Sequence, residues 1–267
     1  MKKLSLSLIF FIGSFISLHA AKVDTIAVHS PSMNKNVEVV VVAPTSIKAD
    51  APVIYLLHGY SGNARSWIGI KPNLPEIADQ AGIVFVCPDA KNSWYWDSPK
   101  DPSYRYETFV AKELVNYIDT HYPVKKDRSA RAITGLSMGG HGALWLAFRH
   151  TDVFGAAGST SGGVDIRPFP NNWEMNKQLG DESSNREVWE QHSVINQVDR
   201  LKNGELAIIV DCGYGDFFYE INQDLHGKLL KYKIDHEFQV RPGVHNADYW
   251  RNSIDFQILF FRKYFEK

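Results

Sequence analysis

The sequence predicts an α/β fold: a mostly parallel central sheet with helices on both faces and a small cap-like insertion. Three observations carry this. Apolar or β-branched runs alternate with helix-patterned stretches along nearly the whole chain, the pattern of a sheet covered on both sides. The run at 131–134 leads through Gly135-Leu136-Ser137-Met138-Gly139 into a helical segment. Such a strand–turn–helix step lifts a serine hydroxyl above the end of a sheet. With 267 residues, 13% aromatic content and seven Trp, the chain is long enough for one sizeable domain.

Taken in order, residues 1–21 stand apart as a signal peptide. Lys2 and Lys3 form a positive start, an apolar run spans 4–18, and small residues follow at Ala20 and Ala21, so cleavage near there is expected. The run is shorter than the ~20 residues of a membrane span. No cysteine follows it to carry a lipid, so no stable anchor is expected after removal. The expected compartment is the periplasm or the outside, and the mature chain is 22–267.

Strand-like runs lie at 24–28, 37–42, 53–57, 83–87, 131–134, 156–159, 206–210 and 236–240. The first two have no helix between them and suggest an antiparallel hairpin at the sheet edge. A helix is expected over 106–122, with Phe109, Leu114, Tyr117 and Ile118 on one side, ended by Pro123. Small residues lead the segment 140–148, where a helix must lie close to the sheet. Ile221, Leu225 and Leu229 give another helix one apolar face. A last helix is expected over about 248–264. The polar stretch 162–203, with Pro168 and Pro170, exceeds what a crossover needs and reads as a cap bordering the site. No repeat or linker divides the chain.

The net charge is −1 and no basic stripe stands out, which argues against a nucleic-acid partner. Cys87 and Cys212 are the sole cysteines. They end strands expected several positions apart, at ~4.8 Å per step, beyond the ~7 Å reach of a bridge. Two free, buried thiols are expected.

A G-x-S-x-G pattern arises by composition in roughly one random chain of this length in ten, so its context must carry the reading. A serine hydroxyl needs an adjacent base, oriented by a third group. The order Ser, acid, His along the chain directs attention past Ser137. His245 follows the run 236–240 through Arg241-Pro242-Gly243 and precedes the last helix, where a base can swing over the serine. His58 precedes the serine, His141 is locked in the helix behind it, and His226 lies mid-helix. Among the acids, Asp216 lies in the loop past Gly213-Tyr214-Gly215 and is favoured over Asp211, which caps a strand end. Asp248 reads as a helix N-cap. The N–H groups of Met138 and of Tyr60, in His58-Gly59-Tyr60-Ser61-Gly62, are the expected oxyanion donors.

The motifs 56–62, 135–143, Asp211-Cys212-Gly213 with Asp216-Phe217, and Gly243-Val244-His245 with Tyr249-Trp250 span nearly all of the mature chain. In them the sequence resembles the esterase-D-like branch of the α/β-hydrolases. That branch includes tributyrin esterases, S-formylglutathione hydrolases, mycolyltransferases, and the feruloyl and acetylxylan esterases of carbohydrate esterase family one. The resemblance implies an α/β-hydrolase fold, one catalytic domain over 22–267, and Ser137, Asp216 and His245 as triad, with no metal or cofactor.

The expected activity is that of a serine carboxylesterase on acyl esters. By analogy with the family's carbohydrate esterases, and in keeping with export, the resemblance implies acetyl or feruloyl groups on plant-wall xylan, hence an acylated oligosaccharide as substrate. The alternatives are a short-chain esterase or thioesterase of the tributyrin or S-formylglutathione type, or an acyltransferase with an alcohol replacing water. A non-catalytic binding module is disfavoured by the intact triad. Trp94 and Trp96, after the fourth run, either stack on a substrate ring or pack beneath their loop, and Trp173 in the cap is a further ring candidate. The sequence leaves the acyl group and the oligomeric state open.

Overall fold

A computed structural model describes residues 21–267; the signal peptide expected at 1–21 lies, Ala21 apart, outside them. Strands run over β1 Lys22–Ser30, β2 Lys35–Ala43, β3 Val53–Leu57 and β4 Val84–Pro88. They continue with β5 Arg131–Gly135, β6 Ala156–Thr160, β7 Ala207–Gly213 and β8 Glu237–Arg241. Among the described residues they form one eight-stranded sheet in the order β1-β2-β4-β3-β5-β6-β7-β8. β1 pairs antiparallel with β2, and β2 with β4; every later pairing is parallel. The expected edge hairpin and parallel body are therefore both present.

The central strands β3, β4, β5 and β6 are buried at every position because both faces are covered. Val53, Tyr55 and Leu57 face one core with Val84, Val86, Ile133, Ile208 and Val210. Ile54 and Leu56 face the other with Phe85, Cys87, Ala132 and Ile209. This is the two-residue period of a strand, and each such buried aliphatic side chain contributes about 1.5–3 kcal/mol.

The helices are α1 Ser66–Ile70, α2 Leu74–Ala81, α3 Tyr106–Thr108, α4 Val115–His121, α5 Met138–Arg149, α6 Met175–Leu179, α7 Glu182–His192, α8 Tyr219–Lys231 and α9 Ala247–Phe265. The single helix expected over 106–122 carries a wide π segment, Phe109–Leu114, between α3 and α4. Within it Phe109, Val110, Ala111 and Leu114 are all buried. Tyr117, expected on the apolar side, is only partly buried. At the start of α9 the N-cap is Asn246, whose side chain accepts from Tyr249 N–H at 3.0 Å. Asp248, expected as the cap, instead lies exposed in the first turn and pairs with Arg251. The extended backbone of Asn246 is what lets its oxygen reach three residues on.

β4 and β7 are four positions apart in the sheet, and Cys87 and Cys212 are free and buried. Burial raises both thiols well above their ordinary pKa. No helix among the described residues is long and apolar enough to cross a membrane.

Candidate active site

β5 ends at Gly135 and α5 begins at Met138, so the chain reverses within two residues. Ser137 takes φ 55° and ψ −119°, a conformation that costs a non-glycine residue on the order of 1–3 kcal/mol. The turn closes only because its flanking residues lack side chains. A Cβ at Gly139 would lie 2.2 Å from the carbonyl oxygen of Leu57, and one at Gly135 would lie 2.4 Å from that of Gly139. Backbone atoms on both sides leave nothing that could yield. Ser137 N–H donates to Thr160 O at 2.9 Å, which pins the corner to β6. Although Ser137 stands at the N-cap of α5, its hydroxyl makes no capping bond. It is left to another partner.

That partner is His245. Its Nε2 lies 2.9 Å from Ser137 Oγ, and its Nδ1 lies 2.9 and 3.0 Å from the two carboxylate oxygens of Asp216. With Nδ1–H donating to Asp216, Nε2 is left as acceptor for the serine hydroxyl. Asp216 Oδ1 also accepts from Phe218 N–H at 2.9 Å, and its side chain is fully buried. The loops after β7 and β8 that deliver these two residues are joined by backbone bonds, Tyr214 N–H to Arg241 O and Gly215 N–H to Gly243 O. The loops that carry acid and base are thus tied directly to each other.

Asp211 has other partners. It is fully buried at the end of β7, where Ser253 Oγ donates to it at 2.6 Å and Arg241 pairs with it. Burial raises its pKa, against the opposing pull of Ser253 and Arg241. It ties β7, β8 and α9 together.

The N–H groups of Tyr60 and Met138 have no acceptor among the described residues. Met138 is the first residue of α5, where N–H groups lack an intrahelical partner. Burial and the neighbouring Glu174 carboxylate raise the pKa of the Tyr60 hydroxyl.

A cavity of about 320 Å³ opens over Ser137 and His245 and is lined also by Gly59, Tyr60, Trp173 and Phe217. Trp173 stacks on Phe217 with centroids 6.0 Å apart. The Phe217 and Trp250 rings lie 4.3 and 5.0 Å from that of His245, and Trp250 also lines this cavity. Phe217 and Trp250 were not singled out as site residues from the sequence. The available signal was their place beside the acid and in the first turn after the base.

Trp94 and Trp96 do not reach the cavity. They are 1% and 0% exposed, stacked on each other at 5.6 Å, and Trp96 Nε1–H donates to His141 Nε2 at 2.9 Å. Of the two alternatives the sequence left open, the structure gives packing. His141 Nδ1–H donates to Gly163 O at 2.8 Å, and burial lowers its pKa to about 3, so it is a neutral spacer between the two Trp rings and Trp145. His58 is likewise held by backbone, taking Ala90 N–H on Nε2. His226 pairs with His236, on strand β8's approach. No group of three or more His, Cys, Asp or Glu among the described residues could hold a metal ion.

A serine on a strained strand-to-helix corner, facing loops from the ends of two later parallel strands, defines the class as α/β-hydrolase. The family model described as "Putative esterase" matches residues 30–261, and the chain belongs to that family: it is a carboxylic ester hydrolase. It is similar to the acetyl esterase of Caldicellulosiruptor saccharolyticus, 25% identical over 219 residues, covering 75% of this chain and 79% of the relative. It is also similar to the S-formylglutathione hydrolase of Bos taurus, 25% identical over 232 residues, covering 78% of this chain and 80% of that one. Among solved structures, a ferulic acid esterase superposes with a TM-score of 0.79 and 28% identity, covering 92% of this chain and 98% of the other.

Proposed function

We propose that this protein is an exported serine carboxylesterase that removes acetyl or feruloyl groups from plant-wall xylan, acting in the periplasm or outside the cell. The observation that carries the chemistry is the unbroken relay Ser137 Oγ–His245–Asp216 at 2.9 Å per step. Ser137 Oγ attacks the ester carbonyl while His245 Nε2 takes its proton. Asp216 holds the tautomer and stabilises the imidazolium. The carbonyl oxygen becomes an anion between the N–H groups of Tyr60 and Met138, which have no protein acceptor to give up. As the tetrahedral intermediate collapses, the imidazolium returns the proton to the leaving alcohol. Water, activated by the same histidine, then hydrolyses the acyl-serine.

Export is supported by the basic start, apolar run and small residues of the first 21 positions. The aromatic rim of Trp173, Phe217 and Trp250 suits a phenolic acyl group by ring stacking. The similarity to a ferulic acid esterase and to an acetyl esterase points the same way. A second reading, a glutathione thioesterase, is favoured by the similarity to an S-formylglutathione hydrolase.

The test is acid release by the mature protein from xylan oligosaccharides carrying acetyl or feruloyl esters, with Ser137→Ala as blank. The expected result is release of acetate, ferulate or both by the wild type alone. Cleavage of S-formylglutathione with no acid from either sugar ester would replace this reading by the second.

A further inference from the structure

β8 is the last strand of the sheet, and its outer edge pairs with no strand among the described residues. Its register with β7 runs unbroken from Glu237 opposite Ile209 to Arg241 opposite Gly213, so no bulge blunts the edge. Tyr214 N–H donates to Arg241 O at 3.1 Å, which turns the Arg241 backbone groups toward β7. By the two-residue alternation of a strand, those of Glu237 and Gln239 face β7 as well. The N–H and C=O groups of Phe238 and Val240 therefore point outward from the sheet. An open edge of this kind is a template for another strand.

The side chains along this edge complement themselves. Glu237, Gln239 and Arg241 share one face, where Arg241 Nη1 donates to Gln239 Oε1 at 2.8 Å and Gln239 Nε2 to Glu237 Oε2 at 3.3 Å. Glu237 is exposed, and Arg241, although paired with Asp211, keeps 22% of its side chain exposed. Phe238 and Val240 share the other face, and Val240 is 38% exposed. Phe256 of α9, 41% exposed, lies beside the edge with the Arg241 guanidinium 4.2 Å from its ring. Consider two copies paired antiparallel about a two-fold axis at Gln239. Glu237 of each then stands opposite Arg241 of the other, and Phe238 opposite Val240. Moving the register two residues either way sets Glu237 or Arg241 opposite Gln239 and separates the Glu237–Arg241 pairs. In the matched register the outward groups of Phe238 and Val240 form the hydrogen-bonded pairs, and Glu237 meets Arg241 at the closer positions between them. Pro242, with no N–H to donate, ends the ladder.

We propose that β8 is a docking edge for a second copy of this chain, giving a two-fold dimer whose sheet continues through both β8 strands in that register. A second copy is the occupant that answers both charges: the Glu237 and Arg241 that guard the edge against an arbitrary strand pair with each other across the axis. Arg241 then has a carboxylate on each side, Asp211 in its own sheet and Glu237 of the second copy. The edge runs on through Arg241-Pro242-Gly243 to His245, so the pairing also holds the strand that leads to the base.

The experiment is sedimentation velocity of the mature chain over a dilution series, for the wild type, Glu237→Lys and Val240→Lys. The expected wild-type species is a dimer of twice the chain mass that dissociates on dilution. Glu237→Lys sets like charges opposite each other twice per dimer, and Val240→Lys places a charge against Phe238. Each should weaken the dimer about tenfold or more, with melting temperature and turnover of 4-nitrophenyl acetate near wild type. The register is read with Gln239→Cys under glutathione disulfide. Two thiols facing across the axis lie about 4.5 Å apart at Cα, within bridging reach, so an intermolecular disulfide is expected. Glu237→Cys, opposite Arg241, should give none, and the buried Cys87 and Cys212 leave the wild type as blank. A wild type that is monomeric throughout the series overturns the proposal. So does a dimer that both lysine variants leave intact, or one in which Gln239→Cys forms no disulfide.

Discussion

Replacing Ser137 by alanine is expected to lower kcat about 10⁴-fold or more, the scale of a lost triad nucleophile, with the melting temperature close to wild type. Alanine has the backbone demands of serine, so the strained corner at φ 55° survives. The hydroxyl removed makes one bond, to His245, and none to the protein backbone. His245 keeps Asp216 as partner and the cavity keeps its rim. On the oxyanion role proposed above for the Tyr60 and Met138 N–H groups, a residual rate over the uncatalysed reaction is expected to remain. Steady-state kinetics on 4-nitrophenyl acetate with a thermal melt of both proteins checks this. A variant with wild-type kcat would remove Ser137 from the chemistry.

The second large effect separates the two acids. Asp216→Asn should lower kcat by about 10⁴-fold, because an amide presents the wrong group to His245 Nδ1 and stabilises the wrong tautomer. Its effect on stability should be small, since Phe218 N–H can still be accepted by the amide oxygen. Asp211→Asn should do the reverse. It breaks the pair with Arg241 and weakens the bond from Ser253, at about 2 kcal/mol of stability for a charge-assisted contact. The folded fraction should keep a kcat near wild type. Kinetics and denaturant titrations on both variants read the two effects apart. A larger loss of kcat in Asp211→Asn would reverse the assignment.

The elements most legible from sequence were those whose pattern is local. Strand runs such as 53–57 and 206–210 are apolar because the sheet is covered on both faces, and the elbow announces itself by glycines that the close approach of Leu57 O requires. The order Ser137, Asp216, His245 follows from the fold. What stayed open depended on direction rather than pattern. Trp94 and Tyr95 both adopt left-handed backbone, which turns the Trp94–Trp96 segment inward onto His141, and no periodicity signals such a reversal. Asp248 and Asn246 are both good capping residues, and the choice fell to the extended backbone at Asn246. The rim aromatics Phe217 and Trp250 sit inside quoted motifs, yet their nearness to His245 is a property of the two joined loops.

The most direct test of the central claim, that Ser137 is a nucleophile activated by His245 and Asp216, is covalent trapping with a phosphonofluoridate, read by mass spectrometry. A single adduct on the peptide carrying Ser137, absent from Ser137→Ala and formed far more slowly in Asp216→Asn, is the predicted result. An adduct on another residue, or labelling of Ser137 at the same rate in Asp216→Asn, would contradict it.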